Sequence, residues 1–204
     1  MRDHYSEEAQ YHWLSILLDA YHIIYTFVLK EIPKEEKRRG EKLACKKSCH
    51  SCCTAPIIDL TEIEIMGISW YSSEKLTGPV RKKVKSNLYS YQKTTSCPFL
   101  VDGLCSIYKV RPITCREFHV FGLPCGAKED VLITRPHDIW GTSRANGKKV
   151  AMKLMPFFGI NDTESQEIAF ENGFIANISK PMHTLDLKIF YKTMKMFDPI
   201  LLNK

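Results

Sequence analysis

Residues 45–53 read CKKSCHSCC, which places Cys45, Cys49, Cys52 and Cys53 within nine positions. Four more cysteines follow as Cys97, Cys105, Cys115 and Cys125, and the 204-residue chain has eight in all. A lone free cysteine is by default a small buried hydrophobe, but burial alone does not account for four in nine residues. The opening segment, MRDHYSEEAQYHW, is acidic and polar where a secretory leader would be basic and then apolar. Without an oxidising compartment, clustered thiols read as metal or cluster ligands rather than as a disulfide framework.

The spacing supports that reading. On a helix, Cys45, Cys49 and Cys52 would fall within an arc of about 60°. A short helix or a tight loop could therefore gather three or four sulfurs. The vicinal pair Cys52 and Cys53 is harder to aim at one metal, so it suits two metals or the flank of a polynuclear cluster. Cys97 and Cys105 bracket an Asp102-Gly103 turn, and Cys115 lies in or near a short helix opened by Arg111-Pro112. Zinc and iron both accept thiolate ligands, so an iron–sulfur cluster and zinc both remain open as cofactors. Eight thiolates exceed the charge of one or two divalent ions, and Lys46, Lys47, Arg111 and Arg116 are placed in sequence to offset the excess. Backbone amides in the glycine-rich turns can donate to the sulfurs.

The remaining chain reads as mainly α, a helical domain with a loop-rich, cysteine-bound metal centre and little sheet. Tyr11, Leu14, Leu18, Tyr21, Tyr25 and Val28 recur at helical steps, and Pro33 with the charged run that follows it is expected to end that helix. Thr61 and Glu64 have capping-box spacing ahead of Ile63, Met66, Gly67 and Trp70. Thr77-Gly78-Pro79 opens a basic helix running to about Tyr91. Prolines and glycines then punctuate the stretch from Pro98 to Gly126. Past Cys125 the signals fade: residues 148–158 read as strand or helix, and 185–197 as helix. The expected organisation is an N-terminal helical segment (1–44), a cysteine-cluster core (45–125) and a C-terminal segment (126–204) packed on the same domain.

Composition narrows the function classes. At 44% hydrophobic and 25% charged, the chain can build an ordinary core. Its net charge of +6 is modest, and its short basic clusters carry no recognition motif, so nucleic acid is not expected as a partner. The apolar stretch 14–29 is interrupted by Asp19 and His22 and reads as too short for a membrane span. The expected location is cytoplasmic, with no membrane partner. No Ser/His/Asp set or His-Glu-x-x-His helix supports a hydrolase. His119, four residues beyond Cys115, has the interval to join it on a helix face, although a partly buried structural histidine is the plainer reading. Tyr108 and Phe118 are expected to pack under the centre.

CKKSCHSCC together with CPFLVDGLCSIYKVRPITCREFHVFG resembles the YkgJ-type cysteine-cluster proteins, a family described as zinc- or iron-chelating. The likeness rests on C-x3-C-x2-CC, Cys97-Pro98-Phe99-Leu100, Gly103-x-Cys105-Ser-Ile-Tyr108 and Arg111-Pro112-x-x-Cys115-Arg116, and covers about Cys45 to Cys125. It implies that all eight cysteines are metal ligands, with Cys125 outside the tight motif. His50 stands where the family commonly has glycine. Members include flagellin lysine methylases proposed to carry an iron–sulfur centre, yet no G-x-G nucleotide loop follows a strand here. The expected function is metal binding. Its alternatives are an iron–sulfur-dependent enzyme of redox or protein lysine methyl-transfer type, and a structural zinc module with a protein partner.

Overall fold

The computed structural model describes residues 2–54, 58–92, 96–126 and 129–202. Among these, nine α-helices and a few two-residue strands make the protein mainly α. Helix α1 (His12–Arg39) buries Leu14, Leu17, Leu18, Ala20, Tyr21 and Ile24. It does not stop at Pro33. The ring lies past the buried turns, where ion pairs Lys34–Glu31 and Arg39–Glu35 brace the helix, and Gly40 in the left-handed conformation (φ 70°) ends it. By length and composition α1 could cross a membrane. Here its apolar face packs on helices of the same chain, and Asp19 pairs with Arg2 at 2.5 Å and Lys153 at 2.6 Å.

Strand β1 (Asp59–Leu60) leads into α2 (Glu62–Glu74), whose start has the box the sequence foretells. Thr61 N and Oγ1 donate to Glu64 Oε2 at 2.9 and 2.7 Å. Gly67 lets α2 approach α1, because a Cβ there would stand 2.3 Å from Leu17 Cδ2. Helix α3 (Gly78–Ser90) follows with proline in its first turn. Strands β2 (Leu100–Val101) and β3 (Leu104–Cys105) form a hairpin, pairing Leu100 with Cys105 and Val101 with Leu104. Its two-residue turn, Asp102 (φ 50°) and Gly103 (φ 75°), is why Asp-Gly stands there.

Helix α4 (Ile113–Glu117) is a single turn, and β4 (His119–Val120) comes next. Short helix α5 (Val131–Thr134) leads to β5 (Ile139–Trp140), which pairs antiparallel with β4. The ambiguous stretch near 148 is helix α6 (Arg144–Leu154), N-capped by Ser143, with a 3-10 turn over Met155–Phe158. Helices α7 (Thr163–Glu171) and α8 (Phe174–Ile178) follow, then β6 (Lys180–Pro181), which pairs with β1. Helix α9 (Lys188–Leu202) closes the fold. The main packings are α1 on α6 and α2 on α9. Leu14, Leu17, Ile24, Ile63, Ile68, Leu88, Phe99 and Phe190 belong to one continuous core, and Cys97 is part of it.

Candidate metal centre

The end of α1 aims the first cysteines. Arg39 donates to the carbonyls of His137 (2.6 Å) and Ile139 (3.2 Å) and lies over the buried ring of Phe121, 4.9 Å from its centroid. The chain leaving Gly40 then runs antiparallel to the segment after β4. Gly122 N donates to Lys42 O, Leu43 bridges Phe121, and Ala44 N donates to Val120 O. This ladder delivers Cys45, whose Sγ accepts Val120 N–H at 3.3 Å. Residues 45–53 are therefore a loop and not a helix. Cys49 N closes a turn on Lys46 O with Ser48 at φ 68°, and Ser51–Cys53 make one 3-10 turn. Cys49 and Cys52 are exposed, while Cys45 and Cys53 are half-buried.

The second set is built from the core outward. Cys97 N donates to Cys53 O at 2.8 Å, joining the two cysteine segments directly. Leu100 N returns to Cys97 O, and Ser106 ties the far end of the hairpin to Phe99 O through both its amide and its hydroxyl. Phe99 is fully buried and meets Phe190 edge-on at 6.0 Å, so the hairpin holding Cys105 is nailed to α9. Buried Glu64 reaches across with its second oxygen, accepting Ile113 N at 2.8 Å, and so fixes the start of α4 and Cys115. Cys125 depends on a clasp that the sequence reading passed over. Arg135 pairs with Glu129 (2.9 Å) and Asp138 (2.5 Å) and donates to Leu123 O, while Glu129 accepts Gly126 N. Its only signal in sequence is opposite charge at close range, which surface pairs share.

The thiols act on one another. Cys45 feels Cys49, Cys125 and Cys52, whereas Cys115 feels Cys97, Cys52 and Cys105, and Cys53 feels Cys52, Cys97 and Cys105. Cys52 thus belongs to both neighbourhoods. Burial pushes the metal-free thiol of Cys45 up to about 11 and that of Cys97 up to about 12, and raises Cys105, Cys115 and Cys125 as well. Cys52 goes the other way. The Cys53 S–H donates to it, and with Arg111 and His50 nearby this outweighs desolvation and lowers it to about 7. Cys53 rises correspondingly. Arg111 also favours the thiolates of Cys105 and Cys115 through space. Among the described residues, no three His, Cys, Asp or Glu side chains stand at metal-ligating spacing. Their electrostatic neighbours divide the thiols into two adjoining groups that share Cys52.

Several neighbours differ from expectation. His119 does not share a helix face with Cys115, because α4 ends at extended Phe118 (ψ 107°) and His119 enters β4. Its ring meets Trp140 at 5.7 Å, its Nδ1 lies 3.2 Å from Glu117 O, and burial lowers its pKa. Tyr108 is 58% exposed rather than packed beneath the centre, and it carries the Arg111 guanidinium 4.4 Å from its ring centroid. His50 is exposed, with Nδ1 2.9 Å from Ser48 O and its Cε1 beside the Gly103 turn. Lys46 and Lys47 are exposed as well. Glu117, pushed up to about 7 by burial and by Glu64, is a titratable group that no motif singles out.

Residues 44–137 match the family model CxxCxxCC, described as "putative zinc- or iron-chelating domain". This segment is similar to the CxxCxxCC family. No curated protein and no solved structure matches the chain. The match supports metal binding in general and covers all eight cysteines. It also takes in Arg135 and Glu129 of the clasp, while Asp138 and β5, which completes the pairing with β4, lie just beyond the matched residues.

Proposed function

We propose that the segment similar to the CxxCxxCC family holds an iron–sulfur cluster or zinc through Cys45, Cys49, Cys52, Cys53, Cys97, Cys105, Cys115 and Cys125, in a cytoplasmic protein. The observation that carries this reading is the joining of the two cysteine segments at Cys53 and Cys97, with Cys52 electrostatically coupled to both groups. A set of Cys45, Cys49 and Cys125 on one side, and of Cys53, Cys97, Cys105 and Cys115 on the other, gives each side enough sulfur for a metal. Cys52 is the residue that either side can share. Thiolates stabilise both metals, and with zinc a closed four-ligand site is chemically quiet. Iron–sulfur chemistry would supply electron transfer or radical reactivity. The protein's own contribution is the amide hydrogen bond to Cys45, the Arg111 charge and the burial of Cys97.

Metal analysis and a visible spectrum of protein purified without air test the reading. Iron with acid-labile sulfide and a brown colour supports the cluster. Stoichiometric zinc in a colourless protein supports the structural module, and thiols free of any metal would overturn the proposal. The exposure of Cys49 and Cys52 favours a second reading, an enzyme whose centre is open to substrate on that side.

A further inference from the structure

A cleft of about 180 Å³ is lined in part by Asp3, Tyr21, His22, Tyr108, Arg111 and Arg116. Its charges are unequally satisfied. Arg2, also on the wall, is neutralised by Glu8 and Asp19, both at 2.5 Å, and Lys109 by Asp3 at 2.7 Å. Arg111 has no carboxylate partner among the described residues; Arg116 makes no ion pair there either, although buried Glu64 feels its charge through space. Arg116 is locked all the same: it is 8% exposed, its Nε and Nη2 donate to Arg111 O and Lys109 O at 2.8 Å, and it lies 4.0 Å over the Tyr21 ring.

Arg111 is different. Its guanidinium carbon lies 4.4 Å from the Tyr108 ring centroid, yet the group donates no hydrogen bond among the described residues, and its Nε is buried without a partner. His22 Nδ1, on the same wall, is likewise buried and unpartnered. Each such buried donor or acceptor, if left so, has given up its hydrogen bond to water without a replacement. The charge of Arg111 reaches the thiols through space, but no hydrogen bond to sulfur consumes its donors. A pre-oriented guanidinium fork matches the two oxygens of a carboxylate or phosphate. The cleft is smaller than the roughly 300–1,000 Å³ that holds drug-sized molecules, so it suits a compact anionic group.

We infer that this cleft binds the carboxylate or phosphate group of a small anionic ligand, with Arg111 as the principal donor and Arg116 as the buried countercharge. The inference stands apart from the identity of the metal. Calorimetric titration of the protein as purified, with inorganic phosphate and separately with acetate at fixed ionic strength, tests it. Saturable binding of phosphate alone assigns a phosphorylated ligand, and binding of acetate as well assigns the carboxylate class. Arg111→Gln should weaken the effective anion by about tenfold or more, the loss of a charge-assisted hydrogen bond, while Lys82→Gln on exposed α3 leaves it unchanged. Because Arg111→Gln could also disturb the thiols, phenylglyoxal labelling of the unaltered protein is the second arm. The anion should slow modification of Arg111 without slowing that of exposed Arg38. Linear heats with both anions, wild-type affinity in the variant, or equal labelling of Arg111 with and without anion would each overturn the inference.

Discussion

Cys49 and His119 show how differently two polar residues near one centre can be employed. Cys49 is exposed on a turn closed by its own amide, so its side chain is free to serve a metal. His119 is held between Trp140 and the Glu117 carbonyl, so its ring is a wall of the β4–β5 pairing. Cys49→Ser should therefore lower metal content well below that of the parent protein, because a serine hydroxyl stays protonated near neutral pH. His119→Ala should keep its metal and lose stability instead, by roughly 1–3 kcal/mol for a buried aromatic wall. Metal analysis and urea melts of the two variants, prepared side by side, check both halves. A fully loaded serine variant or an empty alanine variant would reverse the assignment.

At the level of elements, the helices owe their order to apolar faces, and the metal loops owe theirs to isolated hydrogen bonds. Helix α1 is anchored by Leu14, Leu17 and Ile24 at 0% exposure, whereas the stretch from Cys97 to Cys125 contains one hairpin, one 3-10 turn, one helical turn and strand β4, with the Arg135 clasp just beyond it. Removing the metal with a chelator should accordingly raise hydrogen exchange across residues 97–125 first and leave α1 protected, as metal-dependent loops lose on the order of 10 kcal/mol of binding free energy. Equal protection of those loops with and without chelator would contradict this. The same contrast explains what was readable in advance. Thr61 and Glu64 announce α2 because a capping box is local chemistry, and Asp102-Gly103 announces the hairpin because few residues accept two positive φ values. Pro33 misleads, since the buried turns before it and the ion pairs around it carry α1 onward to Gly40. The β4–β5 pairing that displaces His119 from α4 joins residues twenty positions apart, and nothing local encodes it. The cysteines themselves were legible as a set, but their division into two groups sharing Cys52 depends on where α1 and α4 place them.

Across the whole molecule, charged clasps tie segments that the apolar core does not join. Arg81 is buried and gathers the carbonyls of Ser72, Ser73, Leu76 and Met194 while pairing with Asp198, which binds α3 to the end of α2 and to α9. At the other end, Arg2 joins Glu8 and Asp19, and Asp19 continues to Lys153 on α6. The Arg2 hydrogen bond, opposed by partial burial, holds Glu8 down to about 2. Asp19 is pushed up by burial but ends below its ordinary value because Lys153 and Arg2 donate to it. An unfolded glutamate ionises near about 4.3, so the folded state holds fewer protons than the unfolded chain between that pH and about 2. The clasp therefore contributes its full stability above about pH 5 and loses it as the pH falls toward 2. Glu8→Gln removes this term at neutral pH, lowering stability by roughly 1 kcal/mol for a partly solvated pair. The difference between parent and variant should shrink through pH 4 and 3 and be small by pH 2, where the parent glutamate is about half protonated. Taking the difference isolates the clasp, since thiol protonation and metal loss in acid affect both proteins alike. Urea midpoints measured at pH 6, 4, 3 and 2 decide it, and a gap that stays constant or widens in acid would mean that Glu8 is not the titrating member of the clasp.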